Sequence, residues 1–256
     1  MTEQEWLACR NPKTLLCSLF ARSRGKGKPE VADLSEERFR LFAIACCRRV
    51  AQVLEFGDTY ALDCLEIYTR KRLREALMKA RRFRRPAGTS ASNGLSNVDR
   101  TNRTATFLAQ ARSLASSAVW SCTKSKPTQA AMGYHEAAQA AESIRLADDH
   151  TATPKLPGPN WQPPSIAELT VQCHLLRDIF GNPFRPVVFD PAWRSDTALS
   201  LAKHIYESRD FSAMPILADA LQEAGCEGDE ILTHCRDESL THVRGCWVVD
   251  LVLGKE

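Results

Sequence analysis

Residues 35–54 have the sequence SEERFRLFAIACCRRVAQVL, and this stretch decides the fold class. Ser35 is a typical helix-capping residue, and the acidic residues after it favour a helical first turn. Apolar residues then recur at spacings of three and four, which places them on one helical face. They are Phe39, Phe42, Cys46, Val50 and Val53. Leu41 and Ile44 add apolar groups on other faces, so the sequence predicts a central, nearly surrounded helix.

The rest of the chain carries helix signals and few strand signals. Helical patterns cover about residues 13–21, 58–82, 100–122, 128–149, 165–180, 196–208, 212–224 and 227–236. Two short runs, residues 187–189 and 247–253, resemble strands, and the second fits a buried helix equally well. We therefore predict an all-α protein, a multi-helix orthogonal bundle. A minor strand pair near 187–189 and 247–253 is an alternative detail.

Charge divides the chain unevenly. Residues 1–126 carry 24 Lys and Arg against 12 Asp and Glu, whereas residues 127–256 carry 10 against 19. This asymmetry is typical either of a basic face for an anionic partner or of two segments that attract each other within one chain.

Composition and charge together predict three regions. Residues 1–150 form a basic helical region with an Arg-rich helix at about 58–85 and a linker at 86–97. Residues 151–164 form a Pro-rich linker, and residues 165–256 form an acidic helical region. One packed domain is the alternative. Within either arrangement we expect residues 1–55 and 165–256 to form the stable framework.

Overall composition places the chain among ordinary globular proteins. It has 256 residues, of which 44% are hydrophobic and 25% charged. We expect no membrane span, because no apolar run approaches the ~18 residues that a membrane helix needs. The N-terminus has no apolar segment typical of a secretory signal. Ten cysteines without such a signal predict reduced thiols and a cytoplasmic location.

Several blocks resemble a known group of proteins. They are MTEQEWLACRNPKTLL, RLFAIACCRRV, LLRDIFGNPFRPV, DPAW, MPILADALQEAGC and HVRGCWVVDLVLGKE, within residues 1–55 and 173–256. They resemble a family of uncharacterised planctomycete bacterial proteins. The resemblance implies a bacterial, cytosolic origin and assigns no activity, cofactor or catalytic residue.

A basic segment, residues 70–85, is the candidate surface for a partner. Its basic residues are Arg70, Lys71, Arg72, Arg74, Lys79, Arg81, Arg82, Arg84 and Arg85. Such density favours phosphate backbones through counterion release. A solvated helix face, or docking on the acidic half of the chain, is the simpler interpretation, and a membrane surface or partner groove is a further alternative.

A second candidate is the C-terminal group Cys226, His234, Cys235, His242 and Cys246. Zinc prefers four Cys or His ligands in a tetrahedron, and Cys226, Cys235, His242 and Cys246 are the candidate metal ligands. The spacing lacks the close chelating pair of known zinc modules. We therefore expect buried thiols with surface histidines and no cofactor, with zinc as the alternative.

The sequence offers no recognisable catalytic apparatus. Cys46 and Cys47 precede two arginines, but Cys46 lies on the apolar stripe, so packing is expected. Asp148, Asp149 and His150 form a charged helix end. No catalytic residue is predicted. We predict a non-enzymatic protein-interaction or scaffolding module whose protein partner is unknown. Nucleic-acid binding through residues 70–85 is the second hypothesis, and an enzyme of unrecognised class is the third.

Overall fold

The computed structural model describes residues 1–23, 36–71, 78–80, 103–123, 131, 133–148, 164–185 and 187–255. Within them the prediction of an all-α protein is confirmed, because every regular element is a helix. Among these residues, no helix combines the length and apolar character needed to cross a membrane.

The described residues form the following helices. The α-helices are α1 (Glu3–Ala8), α2 (Pro12–Ser23), α3 (Glu36–Arg48), α4 (Phe56–Lys71), α5 (Arg103–Cys122), α6 (Gly133–Asp148), α7 (Ile166–Phe180), α8 (Asp196–Ser208), α9 (Met214–Glu223), α10 (Asp229–Arg236) and α11 (Trp247–Val252). Short 3₁₀ turns occupy Ala51–Val53, Pro191–Trp193 and Phe211–Ala213. Local sequence starts several of these helices. Thr2 and Glu5, for example, form a reciprocal capping box at α1.

The predicted apolar face of residues 35–54 is confirmed. Phe39, Phe42, Cys46, Val50 and Val53 are all buried. The helix is shorter than the sequence predicts, because α3 ends at Arg48 and the chain continues through a 3₁₀ turn.

The alternative of a strand pair near residues 187–189 and 247–253 is wrong. Trp247–Val252 is the helix α11, and residues 187–189 contain no strand. Residues 247–252 form a helix because Val248, Val249 and Val252 then lie together on its buried side. Val188, by contrast, is 85% exposed.

The chain divides into two compact units. One unit holds Met1–Leu34 with Cys173–Glu256, and the other holds Ser35–Gln172. The two ends of the sequence therefore share a unit, although α3 belongs to the other one. Residues 151–163 of the predicted linker lie outside the described residues, so the predicted three-region division stays a prediction.

In the unit made from the two ends, Arg177 of α7 holds the N-terminal turn. Its guanidinium donates to the backbone carbonyls of Trp6 and Cys9, both at 2.7 Å. These carbonyls belong to the carboxyl end of α1, where a helix lacks internal partners. The side chain of Trp6 is fully buried.

The C-terminal helices of the same unit enclose an apolar core. Helices α8, α9, α10 and α11 contribute Ile205, Leu217, Leu221, Ile231 and Val249, among others. Cys226 and Cys235 belong to this core as well. The thiols therefore pack as small apolar groups, as free cysteines commonly do.

In the other unit, α5 and α6 pack closely through small residues. Ala111, Ala115 and Ala118 of α5 are fully buried. A Cβ added to Gly133 at the start of α6 would lie 2.9 Å from the carbonyl oxygen of Ala118. Glycine therefore permits an approach of the two backbones that a larger residue would prevent.

Substitution Gly133→Val tests this close approach. We expect it to lower the free energy of unfolding by about 1–3 kcal/mol, because the new side chain meets backbone that cannot move cheaply. Chemical denaturation measures the change. His135→Ala, at an exposed position of the same helix, is the control and should change stability by less than about 0.5 kcal/mol. Equal stabilities of the two variants would contradict the packing.

Candidate metal centre

Four potential metal ligands converge in the unit formed by the chain ends. Their ligand atoms, one each from Asp178, His234, His242 and Cys246, all lie within 4.8 Å of one another. Of the four candidate ligands predicted from sequence, His242 and Cys246 belong to this cluster. The other two, Cys226 and Cys235, are instead buried in the apolar core.

Three separate segments supply the four side chains. Asp178 lies on α7 and His234 on α10. His242 lies in the 237–246 loop, which connects α10 to α11, and Cys246 ends this loop as the residue before α11. The expectation of surface histidines is wrong here, because the His234 and His242 side chains are only 11% and 6% exposed.

Both imidazoles contact the same carboxylate oxygen, and the thiol contacts both imidazoles. Oδ1 of Asp178 lies 2.7 Å from Nδ1 of His242 and 3.2 Å from Nε2 of His234. Sγ of Cys246 lies 3.3 Å from the same Nε2 and 3.9 Å from the same Nδ1. The other oxygen, Oδ2 of Asp178, accepts a hydrogen bond of 2.9 Å from the backbone N–H of Val243.

Aromatic side chains orient the two imidazoles. The two histidine rings stand at 74° to each other with centroids 4.9 Å apart. The ring of Phe211 stacks on His242, and the ring of Trp247 lies 5.0 Å from His234. Trp247 in turn packs against Gly181 at the end of α7, where φ is +63°. These contacts limit how far either imidazole can rotate.

Burial and hydrogen bonding shift the pKa values of Asp178 and Cys246 in opposite directions. Burial by itself would raise the pKa of the Asp178 carboxyl, but the hydrogen bonds and charges of His234 and His242 together hold that pKa below its usual range. Burial raises the pKa of the Cys246 thiol well above its usual value, and the nearby Asp178 carboxylate adds to this effect.

The cluster does not have the geometry of a Cys–His–Asp catalytic triad. In a triad, one imidazole nitrogen faces the nucleophile and the other faces the carboxylate. Here Nε2 of His234 faces both Asp178 and Cys246, and Nδ1 of His242 also faces both. One nitrogen from each ring therefore points to a common centre, which is the arrangement of ligands around an ion.

The separations between the ligand atoms are of the size found around a tetrahedral metal ion. Zinc lies about 2.0–2.3 Å from O, N and S ligands, which puts tetrahedrally arranged ligand atoms roughly 3.3–3.6 Å apart. The four separations given above range from 2.7 to 3.9 Å, and all six pairs lie within 4.8 Å, so the values fall on both sides of this interval.

Sequence reasoning missed Asp178, although the sequence contains a signal for it. Asp178 lies three residues after the fully buried Leu175, so the two side chains share a face of α7. An ionised side chain on an apolar face is costly unless it is paired or binds a metal. The ligand set predicted from sequence also omits His234, because it takes the thiol of the adjacent Cys235 instead.

The predicted basic surface lies mostly outside the described residues. Arg70 and Lys71 end α4, and Lys79 is exposed. The remaining members, Arg72, Arg74, Arg81, Arg82, Arg84 and Arg85, fall outside the described part of the chain. Binding of a partner or of nucleic acid at residues 70–85 therefore stays a prediction.

The adjacent thiols of α3 are buried. Sγ of Cys47 lies 3.6 Å from Sγ of Cys122 on α5, and both residues are fully buried. A hydrogen bond with Cys122, together with burial, raises the pKa of Cys47 well above its usual value. Packing thus explains these cysteines better than reactivity does.

Comparison with known proteins returned no match to this chain among family models, curated proteins or solved structures. The resemblance to planctomycete bacterial proteins therefore stays a prediction. Support for a metal site therefore comes from the distances and orientations of the four side chains of the cluster.

Thiol labelling distinguishes a buried ligand from a catalytic nucleophile. We expect iodoacetamide to modify the exposed Cys17 at least about tenfold faster than the fully buried Cys246, because the thiolate must be both formed and accessible. Mass spectrometry of the labelled peptides under native conditions measures both rates. Labelling of Cys246 at or above the rate of Cys17 would instead favour a nucleophile.

Proposed function

We propose that this chain is a zinc-stabilised helical module, in which Asp178, His234, His242 and Cys246 hold one Zn²⁺ ion. The observation that carries the proposal is the shared orientation of the two imidazoles. Each ring presents a single nitrogen to both the carboxylate and the thiol. A purely hydrogen-bonded array does not require these four groups to meet at one point.

The chemistry of the ligands favours zinc over harder cations. Calcium and magnesium prefer oxygen ligands, whereas this cluster offers one oxygen, two imidazole nitrogens and one sulfur. Zinc accepts this mixture in a tetrahedron and has no geometric preference of its own that would oppose it. The Val243 amide also orients the carboxylate, as outer hydrogen bonds do in zinc sites.

Four protein ligands favour a structural role for the ion. Catalytic zinc sites use three protein ligands and leave the fourth position to water or substrate, whereas structural sites use four. Here the side chains of Asp178 and Cys246 are 2% and 0% exposed. The ion would connect α7, α10 and the start of α11 in the manner of a cross-link.

A structural ion supports the interpretation of this chain as an interaction or scaffolding module. Such a module requires a stable surface rather than an open reactive position. We accordingly propose a non-enzymatic, cytoplasmic protein whose partner is a protein, with nucleic-acid binding at residues 70–85 as the second hypothesis. The eight buried cysteines, none of which forms a disulfide, support the cytoplasmic part of this proposal.

Metal analysis tests the zinc proposal directly. Full-length protein purified without chelators should contain one zinc per chain by elemental mass spectrometry. Cys246→Ser should lose most of it, because a thiolate ligand is replaced by a poor one. Cys226→Ser is the matched control, since it alters a similarly buried thiol of the same unit outside the cluster, and it should keep its zinc.

Cobalt(II) gives an independent spectroscopic test. Replacing zinc by cobalt should produce intense visible bands typical of tetrahedral coordination and a near-ultraviolet charge-transfer band from the thiolate. The charge-transfer band should disappear in Cys246→Ser and persist in Cys226→Ser. Negligible zinc in the wild-type protein, combined with no cobalt spectrum after reconstitution, would overturn the proposal.

A further inference from the structure

The 237–246 loop supplies two of the four ligands but has little apolar material to hold it in place. Asp237, Glu238, Ser239 and Thr241 are exposed. Of its ten residues, only Gly245 and Cys246 are buried as whole residues, and His242 buries its imidazole at the candidate metal centre. Ordering a loop carries a conformational entropy cost, and the usual compensation from buried apolar side chains is small here.

Polar contacts at two places attach this loop to the rest of its unit. At the first, His242 and the backbone N–H of Val243 bond to the two carboxylate oxygens of Asp178, at 2.7 and 2.9 Å. At the second, the Arg244 guanidinium donates to the backbone carbonyls of Tyr206 and Glu207, at 2.8 and 2.9 Å. The first attachment is the candidate metal centre itself.

Further hydrogen bonds of the loop are local. The N–H of Asp237 donates to the carbonyl of Thr233 and so extends the last turn of α10. The N–H and the hydroxyl of Ser239 both donate to the carboxylate of Asp237. The N–H of Cys246 donates to the carbonyl of Val243. Because these bonds join residues that are close in sequence, they shape the loop without bringing it to α7.

Helix α11 is attached differently. Its buried residues Val248, Val249 and Val252 belong to the apolar core of the unit. Their burial stabilises α11 in its position without help from the ligands. The loop and the helix that follows it should therefore respond differently when the metal is removed.

We propose that occupancy of the metal centre controls the order of the 237–246 loop, so that zinc availability regulates this surface while α11 stays in place. This inference rests on the proposed zinc binding. Metal binding and folding are coupled where a weakly attached segment supplies the ligands. The free energy of zinc binding therefore stabilises the ordered conformation of the loop. The exposed acidic and hydroxyl side chains of the loop are then presented in one arrangement only with the ion bound.

Hydrogen exchange of the full chain, with and without zinc, tests the inference. After chelation, the amides of Val243 and Cys246 should exchange about tenfold faster or more, since both bonds depend on loop order. Amides within α5 of the other unit should not change. The zinc content of each sample is measured as well, so that a failure to bind zinc can be distinguished from a loop whose order does not depend on zinc.

A matched pair of arginine variants sharpens the test. Arg244→Ala removes the second attachment, so chelation should accelerate loop exchange more in this variant than in the wild type. Arg194→Ala is the control, because Arg194 also donates to a backbone carbonyl, that of Leu251, but lies outside the loop. It should respond to chelation as the wild type does.

The outcomes separate the two proposals. Stoichiometric zinc with unchanged loop exchange on chelation would overturn the inference and leave zinc binding intact. Equal acceleration in the loop and in α11 would also overturn it, since the ion would then stabilise the whole unit. Failure to bind zinc or cobalt would overturn the proposed function itself.

Discussion

The buried carboxylate of Asp178 is the constraint on which the C-terminal part of the structure depends. A charged group that is 2% exposed is costly unless it is neutralised by partners. Here both of its oxygens have partners: Oδ1 faces two imidazoles and Oδ2 accepts the N–H of Val243. Helix α10 and the 237–246 loop are therefore brought to the same point on α7, and a metal ion is a natural further component of that arrangement.

The carboxyl-terminal half of α7 also holds the beginning of the chain. Arg177, the neighbour of Asp178, donates to two carbonyls at the end of α1. Asn182, just beyond the helix, donates to Glu3 at 2.7 Å. Adjacent residues of one helix thus serve different partners, because they point in directions about 100° apart. This explains how residues 1–23 and the C-terminal helices come to share one unit.

The two units are stabilised by different means. In the unit of residues 35–172, α5 and α6 approach closely through small residues, and Arg49 forms an ion pair of 2.8 Å with Glu168 at the start of α7. In the unit of the chain ends, short helices surround a core that includes buried thiols, and α11 has only 6 residues. Short helices gain most of their stability from packing rather than from their own hydrogen bonds, so these helices depend on the shared apolar core.

The sequence by itself determined the helical class and the buried face of residues 39–53, because helical periodicity and capping are local properties of the chain. It also identified His242 and Cys246 as candidate ligands. It did not identify Asp178, which lies 56 positions before His234 and contacts it, at 3.2 Å, only in the folded chain. It predicted that Cys226 and Cys235 are buried, but it placed His234 and His242 at the surface and left open whether residues 247–252 are helical. Those outcomes depended on which faces of separate helices meet, and only the tertiary structure decides that, because spacing along a chain carries no information about distances between segments far apart in it.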